Sequence, residues 1–194
     1  MNKNYRISFA IGVSLMILVY FFPIWTIELQ APQYPEGLGF NIWAYKLTGF
    51  NEYDLENINK LNHYIGMKEI NENSIPELKI IPVVIGIMLL TGFLVVKLNK
   101  FRYYQIWTIL LFLVLVAGLV DFYIWEYDYG HDLNPMAAIK IPGMSYQPPL
   151  IGSEQILNMN AISLPAIGGI APGITLLIGI TTIFLQSKFN RRAK

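Results

Sequence analysis

The chain of 194 residues has no cysteine and few charged residues, which make up 14% of it, against about 25% in soluble domains. The absence of cysteine excludes disulfides, thiolate metal sites, iron–sulfur clusters and covalently attached haem. Because 54% of the residues are hydrophobic, a disordered chain and a coiled coil are excluded as well. No GxSxG, Walker A, HExxH or helix-opening GxGxxG motif occurs, so we predict no enzymatic activity. The net charge of +1 gives no reason to expect a nucleic-acid partner.

What the sequence does have is four long apolar stretches, at about 7–25, 80–96, 106–125 and 162–185. Each approaches the roughly 20 residues that a helix needs to cross a bilayer. The sequence therefore predicts an all-α membrane protein with four transmembrane helices. Two long outer loops, at about 26–79 and 126–161, are expected to form a small cap. The first stretch is too long for a signal-peptide core and lacks a small-residue cleavage site, so a signal peptide is the less favoured alternative.

The distribution of charge along the chain predicts its orientation. Segments 1–6, 97–105 and 186–194 contain no acidic residue, whereas the outer loops hold most of the acids. The basic residues of these three segments are Lys3, Arg6, Lys97, Lys100, Arg102, Lys188, Arg191, Arg192 and Lys194. By the positive-inside rule, both termini are expected to be cytoplasmic and both long loops extracytoplasmic, in the inner membrane of a bacterium.

Two features of the predicted spans each allow two interpretations. The run Gly168–Gly173 contains three glycines and Pro172. It fits a kink or late helix start packed by small residues, or else a broken helix lining a transport pathway. The first is favoured because no charged or carboxamide residue accompanies the run. Asp121, the only acid within a span, either reaches the interface or hydrogen-bonds a loop group.

The outer loops carry both histidines and four methionines. Residues 57–67 predict a short helix, and Gly66 could mark its end. If the helix continues past Gly66, His63 and Met67 lie one turn apart on one face, and imidazole plus thioether favours copper, above all Cu(I). The other loop offers further ligands and two carboxylates to orient His131, namely His131, Met136, Met144, Met159, Asp128 and Asp132. The alternatives are plain packing, a zinc site or a bis-histidine haem.

Three segments of the outer loops also resemble a known family. They are APQYPEGL at 31–38, LNHYIGMK at 61–68 and PGMSYQPP at 142–149. In these segments and in its layout the chain resembles the NosB-like family of small four-span membrane proteins, which is associated with clade II nitrous oxide reductase gene clusters of Bacteroidota. The resemblance implies an inner-membrane accessory protein. Such a protein would support copper supply, electron supply or assembly of a periplasmic copper enzyme, with that enzyme or a membrane assembly complex as its partner.

Two other functions remain open from the sequence. One is a structural or docking subunit without a metal, whose aromatic-rich loops form the interface. The other is a quinol- or lipid-binding membrane protein that uses a pocket between the helices together with Asp121. The lipid bilayer is a partner in every case.

Overall fold

A computed structural model describes residues 2–141 and 143–192, so Pro142 of the third family-like segment and the basic Lys194 lie outside the described residues. Within the described part, five α-helices and five β-strands alternate in a mixed order. The helices are α1 (Lys3–Leu15), α2 (Asp54–Ile65), α3 (Glu77–Leu98), α4 (Phe101–His131) and α5 (Ile167–Arg192). The strands are β1 (Trp25–Ala31), β2 (Tyr34–Ile42), β3 (Leu47–Gly49), β4 (Gly152–Ile156) and β5 (Met159–Pro165). Short 3-10 turns cover Met16–Tyr20 and Glu72–Ser74.

The prediction of an all-α protein is therefore wrong, because the outer loops fold into a β-sheet. Strand β1 reads Trp-Thr-Ile-Glu-Leu-Gln-Ala, and Trp25, Ile27 and Ala31 are buried while the residues between them are less so. This alternation with a period of two is typical of a strand with one buried face. A search for long apolar stretches does not detect it, because every second residue is polar.

All neighbouring strands of the sheet are antiparallel, in the order β3-β2-β1-β5-β4. The hairpin β1–β2 turns at Pro32 and Gln33. The central pairing joins β1 to β5, with Trp25 opposite Pro165 and Gln30 opposite Asn160. Because these partners are more than a hundred residues apart in the chain, the sheet closes the two outer loops into one unit, which we call the cap.

The prediction of four spanning helices is also wrong: in the described residues three helices, α3, α4 and α5, are long and apolar enough to cross a membrane. The first apolar stretch divides into the 13-residue α1, a 3-10 turn and the start of β1. The predicted fourth stretch begins with residues 162–165 of β5, and its helix starts only at Ile167. Mean hydropathy does not separate a buried apolar strand from a helix, which explains why the predicted fourth stretch includes the end of β5.

The helices form a core of their own. Phe9 of α1 packs edge-on against Tyr104 and Trp107 of α4, with ring centroids 4.7 and 5.1 Å apart. Gly92 of α3 lies so close to Val13 and Trp107 that an added Cβ would meet both within 3.0 Å. Only 17% of the most apolar part of α3 and of α4 is buried within the protein. A large apolar surface is thus left on the helices, as expected for contact with lipid.

The glycine-rich start of α5 has a structural explanation. The Gly168 N–H donates to the Pro23 carbonyl at 2.8 Å, and a Cβ on Gly168 or Gly169 would collide with the backbone of residues 22–24. Of the two interpretations of this run, the late helix start packed by small residues is therefore confirmed. The same contact fixes the cap to the helices, because residues 22–24 lead directly into β1.

Candidate functional site

The structure separates His63 from Met67. Helix α2, predicted over 57–67, ends at Ile65, and Gly66 follows in the left-handed conformation with φ +83°. A histidine on the last turn of a helix and a methionine beyond a left-handed glycine do not share a helix face. His63 is exposed, whereas Met67 packs inward against the buried clusters of the cap.

The predicted support of His131 is replaced by another contact. His131 is exposed at the end of α4, where its ring stacks on Tyr127 at 3.9 Å and its Nδ1 lies 3.0 Å from the Tyr127 carbonyl. Asp128 and Asp132 instead accept hydrogen bonds from Lys68 Nζ, at 2.6 and 2.9 Å. The bonds to Asp128 and then Asp132 raise the pKa of Lys68 above its usual value. This ion-pair group joins the segment after α2 to the end of α4.

The methionines are placed differently from the histidines. Met144 is half-buried and packs with Met67 against the cluster around Tyr146 and Ile65. Met136 is 85% exposed. The described residues contain no group of three or more His, Asp or Glu that is arranged to hold a metal ion. Of the predicted ligands His63, Met67, His131 and Met144, the two methionines pack against one cluster, whereas the two histidines are exposed.

The sheet, α2 and the end of α4 enclose a small cavity of about 50 Å³. Its walls are mostly apolar, and they include the aromatic residues Phe40, Trp125, Tyr129 and Tyr146. One acidic residue, Glu126, lines the cavity with them. Glu126 is fully buried, and neither of its carboxyl oxygens has a hydrogen-bond partner in the described part of the chain.

The geometry of α4 explains how Glu126 comes to lie there. The 31 residues of α4 extend over about 46 Å at 1.5 Å per residue, well beyond a bilayer core of roughly 30 Å. Its last turns enter the cap, where Phe122, Trp125 and Tyr129 share one face. The Trp125 ring lies 6.0 Å from Phe122 and 4.3 Å from Tyr129. Glu126 is on this face because it follows Phe122 by four residues and precedes Tyr129 by three.

The polar side chain beside the Glu126 carboxyl group is that of Ser163, and its hydroxyl makes two other hydrogen bonds. The hydroxyl of the nearby, fully buried Ser163 accepts from Trp25 Nε1 at 2.7 Å and donates to the Leu150 carbonyl at 3.3 Å. Trp125 Nε1, in the residue next to Glu126, is likewise buried without a partner among the described residues. A buried acceptor and a buried donor are therefore both left unpaired, which is costly unless something binds them.

A second concave surface lies on the outside of the cap. It is an open groove of about 700 Å³ at the turns of the two hairpins β1–β2 and β4–β5. Glu28 and Glu36 line it together with the amide side chains of Gln30, Gln155 and Asn160. Its polar and acidic character suits a polar partner surface rather than a lipid.

Sequence reasoning singled out neither Glu126 nor the groove. A signal for Glu126 was present, since an acid occupies the apolar face of residues 122–129. Asp121, the acid that was singled out, is exposed on α4. Comparisons of the chain with protein-family models, with curated proteins and with solved structures give no match.

Proposed function

We propose that the chain is a multi-pass protein of a bacterial inner membrane whose cap lies on the periplasmic side and docks a partner there. The ends of the helices support this orientation. Asn2 N–H donates to Gln186 Oε1 at 2.7 Å, which brings the start of α1 beside the end of α5. Lys97, Lys100 and Arg102 lie in or directly beside the short turn between α3 and α4. Basic residues thus gather at the end away from the cap, the end that the positive-inside rule assigns to the cytoplasm.

The observation that carries the docking function is the rigid attachment of the cap to the helices. The start of α5 is hydrogen-bonded to Pro23, which lies in the segment that leads directly into strand β1. Helix α4 extends into the cap as one unbroken helix. A surface held in this way presents its groove at a fixed height above the membrane. Pre-organised surfaces bind with less loss of conformational freedom than mobile loops do. We infer a non-catalytic accessory role, and the family resemblance points to a periplasmic copper enzyme of the nitrous oxide reductase type as partner.

Binding of that enzyme to the full-length protein in lipid nanodiscs tests the docking function. The double variant Glu28→Lys, Glu36→Lys reverses the charge of the groove, and we expect it to weaken binding at least tenfold, because like-charged contacts replace complementary ones. The matched control is Glu69→Lys, an exposed charge reversal away from the groove. Equal binding by the double variant and the control would rule out the groove as the docking surface.

Copper handling is the second candidate, and it is favoured by one observation. The thioethers of Met67 and Met144 pack against the same cluster, and Met67 and Met159 line the same cavity. Soft thioether ligands select Cu(I). Titration with Cu(I) against a competing chelator should show binding that the variant Met67→Leu, Met144→Leu loses and the exposed control Met136→Leu keeps. A His63→Ala, His131→Ala variant measures whether the histidines contribute.

A further inference from the structure

The cavity beside Glu126 has the properties of a binding site for a small cation. Its one acidic residue among those described, Glu126, is fully buried and lines a space that is walled in part by aromatic residues. No lysine or arginine among the described residues lines this space. The basic residue Lys68, in the segment after α2, is already paired outside the cavity with Asp128 and Asp132. Within the described residues, the carboxyl group therefore has no internal counter-ion.

The walls favour an organic ammonium group over a metal ion. Trp125, Tyr129 and Tyr146 offer ring surfaces, and a cation near the face of such a ring is attracted by its quadrupole. A divalent metal ion would need several oxygen or nitrogen ligands, and Glu126 supplies the only carboxylate that lines the cavity in the described part of the chain. An ammonium group supplies N–H donors for both carboxyl oxygens and uses the rings for its remaining surface.

The unpaired Trp125 Nε1 further restricts which chemical groups the ligand must carry. This N–H group needs an acceptor, which an ammonium group does not supply. A ligand that satisfies both groups carries a primary ammonium and an oxygen atom a few bonds away. A cavity of about 50 Å³ admits only a ligand of a few heavy atoms, or the end of a longer one.

We propose that the cavity between the sheet, α2 and the end of α4 binds a small primary ammonium group with a neighbouring oxygen, with Glu126 as its counter-ion and Trp125 as the donor to its oxygen. The 2-ammonioethoxy group has this chemistry. It occurs in free ethanolamine and in the head group of phosphatidylethanolamine, and the site lies where α4 passes from its apolar part into the cap. The cavity and the docking groove share the lining residue Met159 but no acidic residue, so charge changes at Glu126 and at Glu28 and Glu36 test the two functions separately.

Two probes of nearly equal size test the proposal in the unmodified protein. Ethanolamine and ethylene glycol differ only in that an ammonium replaces a hydroxyl. We expect the full-length protein in nanodiscs made of phosphatidylcholine to bind ethanolamine, measured by calorimetry, at least tenfold more tightly than ethylene glycol. Equal binding of the two probes, or binding of neither probe and no retained phosphatidylethanolamine, would overturn the proposal.

Variants locate the site. Glu126→Gln keeps the shape of the side chain but loses its charge, and we expect it to weaken ethanolamine binding at least tenfold. Glu154→Gln, an exposed carboxylate on β4, should leave binding unchanged. If Glu126→Gln fails to fold, the comparison of ethanolamine with ethylene glycol in the unmodified protein still tests the proposal. Native mass spectrometry distinguishes the lipid from the free amine as the ligand. If the unmodified protein retains phosphatidylethanolamine, releases it when ethanolamine is added, and loses it in Glu126→Gln, the ligand is the lipid. If the protein binds ethanolamine but retains no phosphatidylethanolamine, the ligand is the soluble amine. Retention of the lipid by Glu126→Gln would count against the site.

Discussion

Replacement of Glu126 by methionine should stabilise the protein when no amine is present. The carboxyl group of Glu126 is fully buried and has no hydrogen-bond partner among the described residues. Mutational data put the cost of such an unpaired polar group at about 1–3 kcal/mol. Methionine has a similar length, no polar group to desolvate and enough flexibility to occupy part of the adjacent cavity. We therefore expect Glu126→Met to raise the free energy of unfolding by about 1–3 kcal/mol.

Ethanolamine should reverse this order of stability. A ligand at one hundred times its dissociation constant stabilises the folded state by about 2.7 kcal/mol, provided that it binds only that state. The unmodified protein should gain this amount and Glu126→Met should gain nothing. Above that concentration the unmodified protein should equal or exceed the variant in stability.

Denaturant unfolding in a phosphatidylcholine-containing detergent micelle, followed by tryptophan fluorescence with and without ethanolamine, measures both effects. Glu154→Met serves as the control, because its exposed carboxylate should shift stability by less than about 0.5 kcal/mol. A Glu126→Met variant that is less stable than the unmodified protein without amine would refute the reasoning. It would mean that the carboxyl group is already paired in the folded protein.

Three further changes test how the cap is held together. Asp54→Ala removes the buried carboxylate that accepts from the backbone N–H of Gly39 at 3.2 Å, and should cost about 2–3 kcal/mol in denaturant unfolding, with faster hydrogen exchange at the Gly39 amide. Gly169→Val places a branched side chain against the Ile24 carbonyl and should prevent the cap from docking on α5, which limited proteolysis after residue 24 would report. Lys68→Met should cost about 0.2–1 kcal/mol at neutral pH. Because the pKa of Lys68 is raised in the folded state, this difference should persist at neutral pH and vanish only when the pH rises through that pKa, as stability measured up to alkaline pH would show.

The helices were largely predictable because their signals are local. The predicted spans at 80–96 and 106–125 fall inside α3 and α4, where runs of apolar residues continue for many turns. The predicted end of α2 at Gly66 is confirmed, because glycine readily takes the left-handed conformation that ends a helix. The left-handed Gly66 also removes Met67 from the helix face of His63, so the predicted pairing of these two residues on one helix is not formed.

The sheet and the cavity were not predictable in the same way, because both depend on contacts that are distant in the chain. Strand β1 pairs with β5, which lies more than a hundred residues further along the chain, and no local sequence pattern predicts the register of this pairing. The position of Glu126 shows the same limit. Spacing alone places it on the face of Trp125 and Tyr129, but only the approach of β1, β5 and α2 turns that face into the wall of a cavity.

The length of α4 connects the membrane to the proposed binding site. A helix that ended with its apolar part near residue 120 would span the bilayer core and leave the cap attached through flexible loops. The extra turns of α4 instead insert Trp125, Glu126 and Tyr129 into the core of the cap, where the desolvation of one carboxyl group lowers stability. A glutamine at position 126 would still leave polar atoms to satisfy, whereas an aliphatic residue would need no partner. Burial of the acid at this junction therefore makes structural sense if a cationic group occupies the cavity, and the opposite effects of Glu126→Met with and without amine are what distinguish that role from a chance burial.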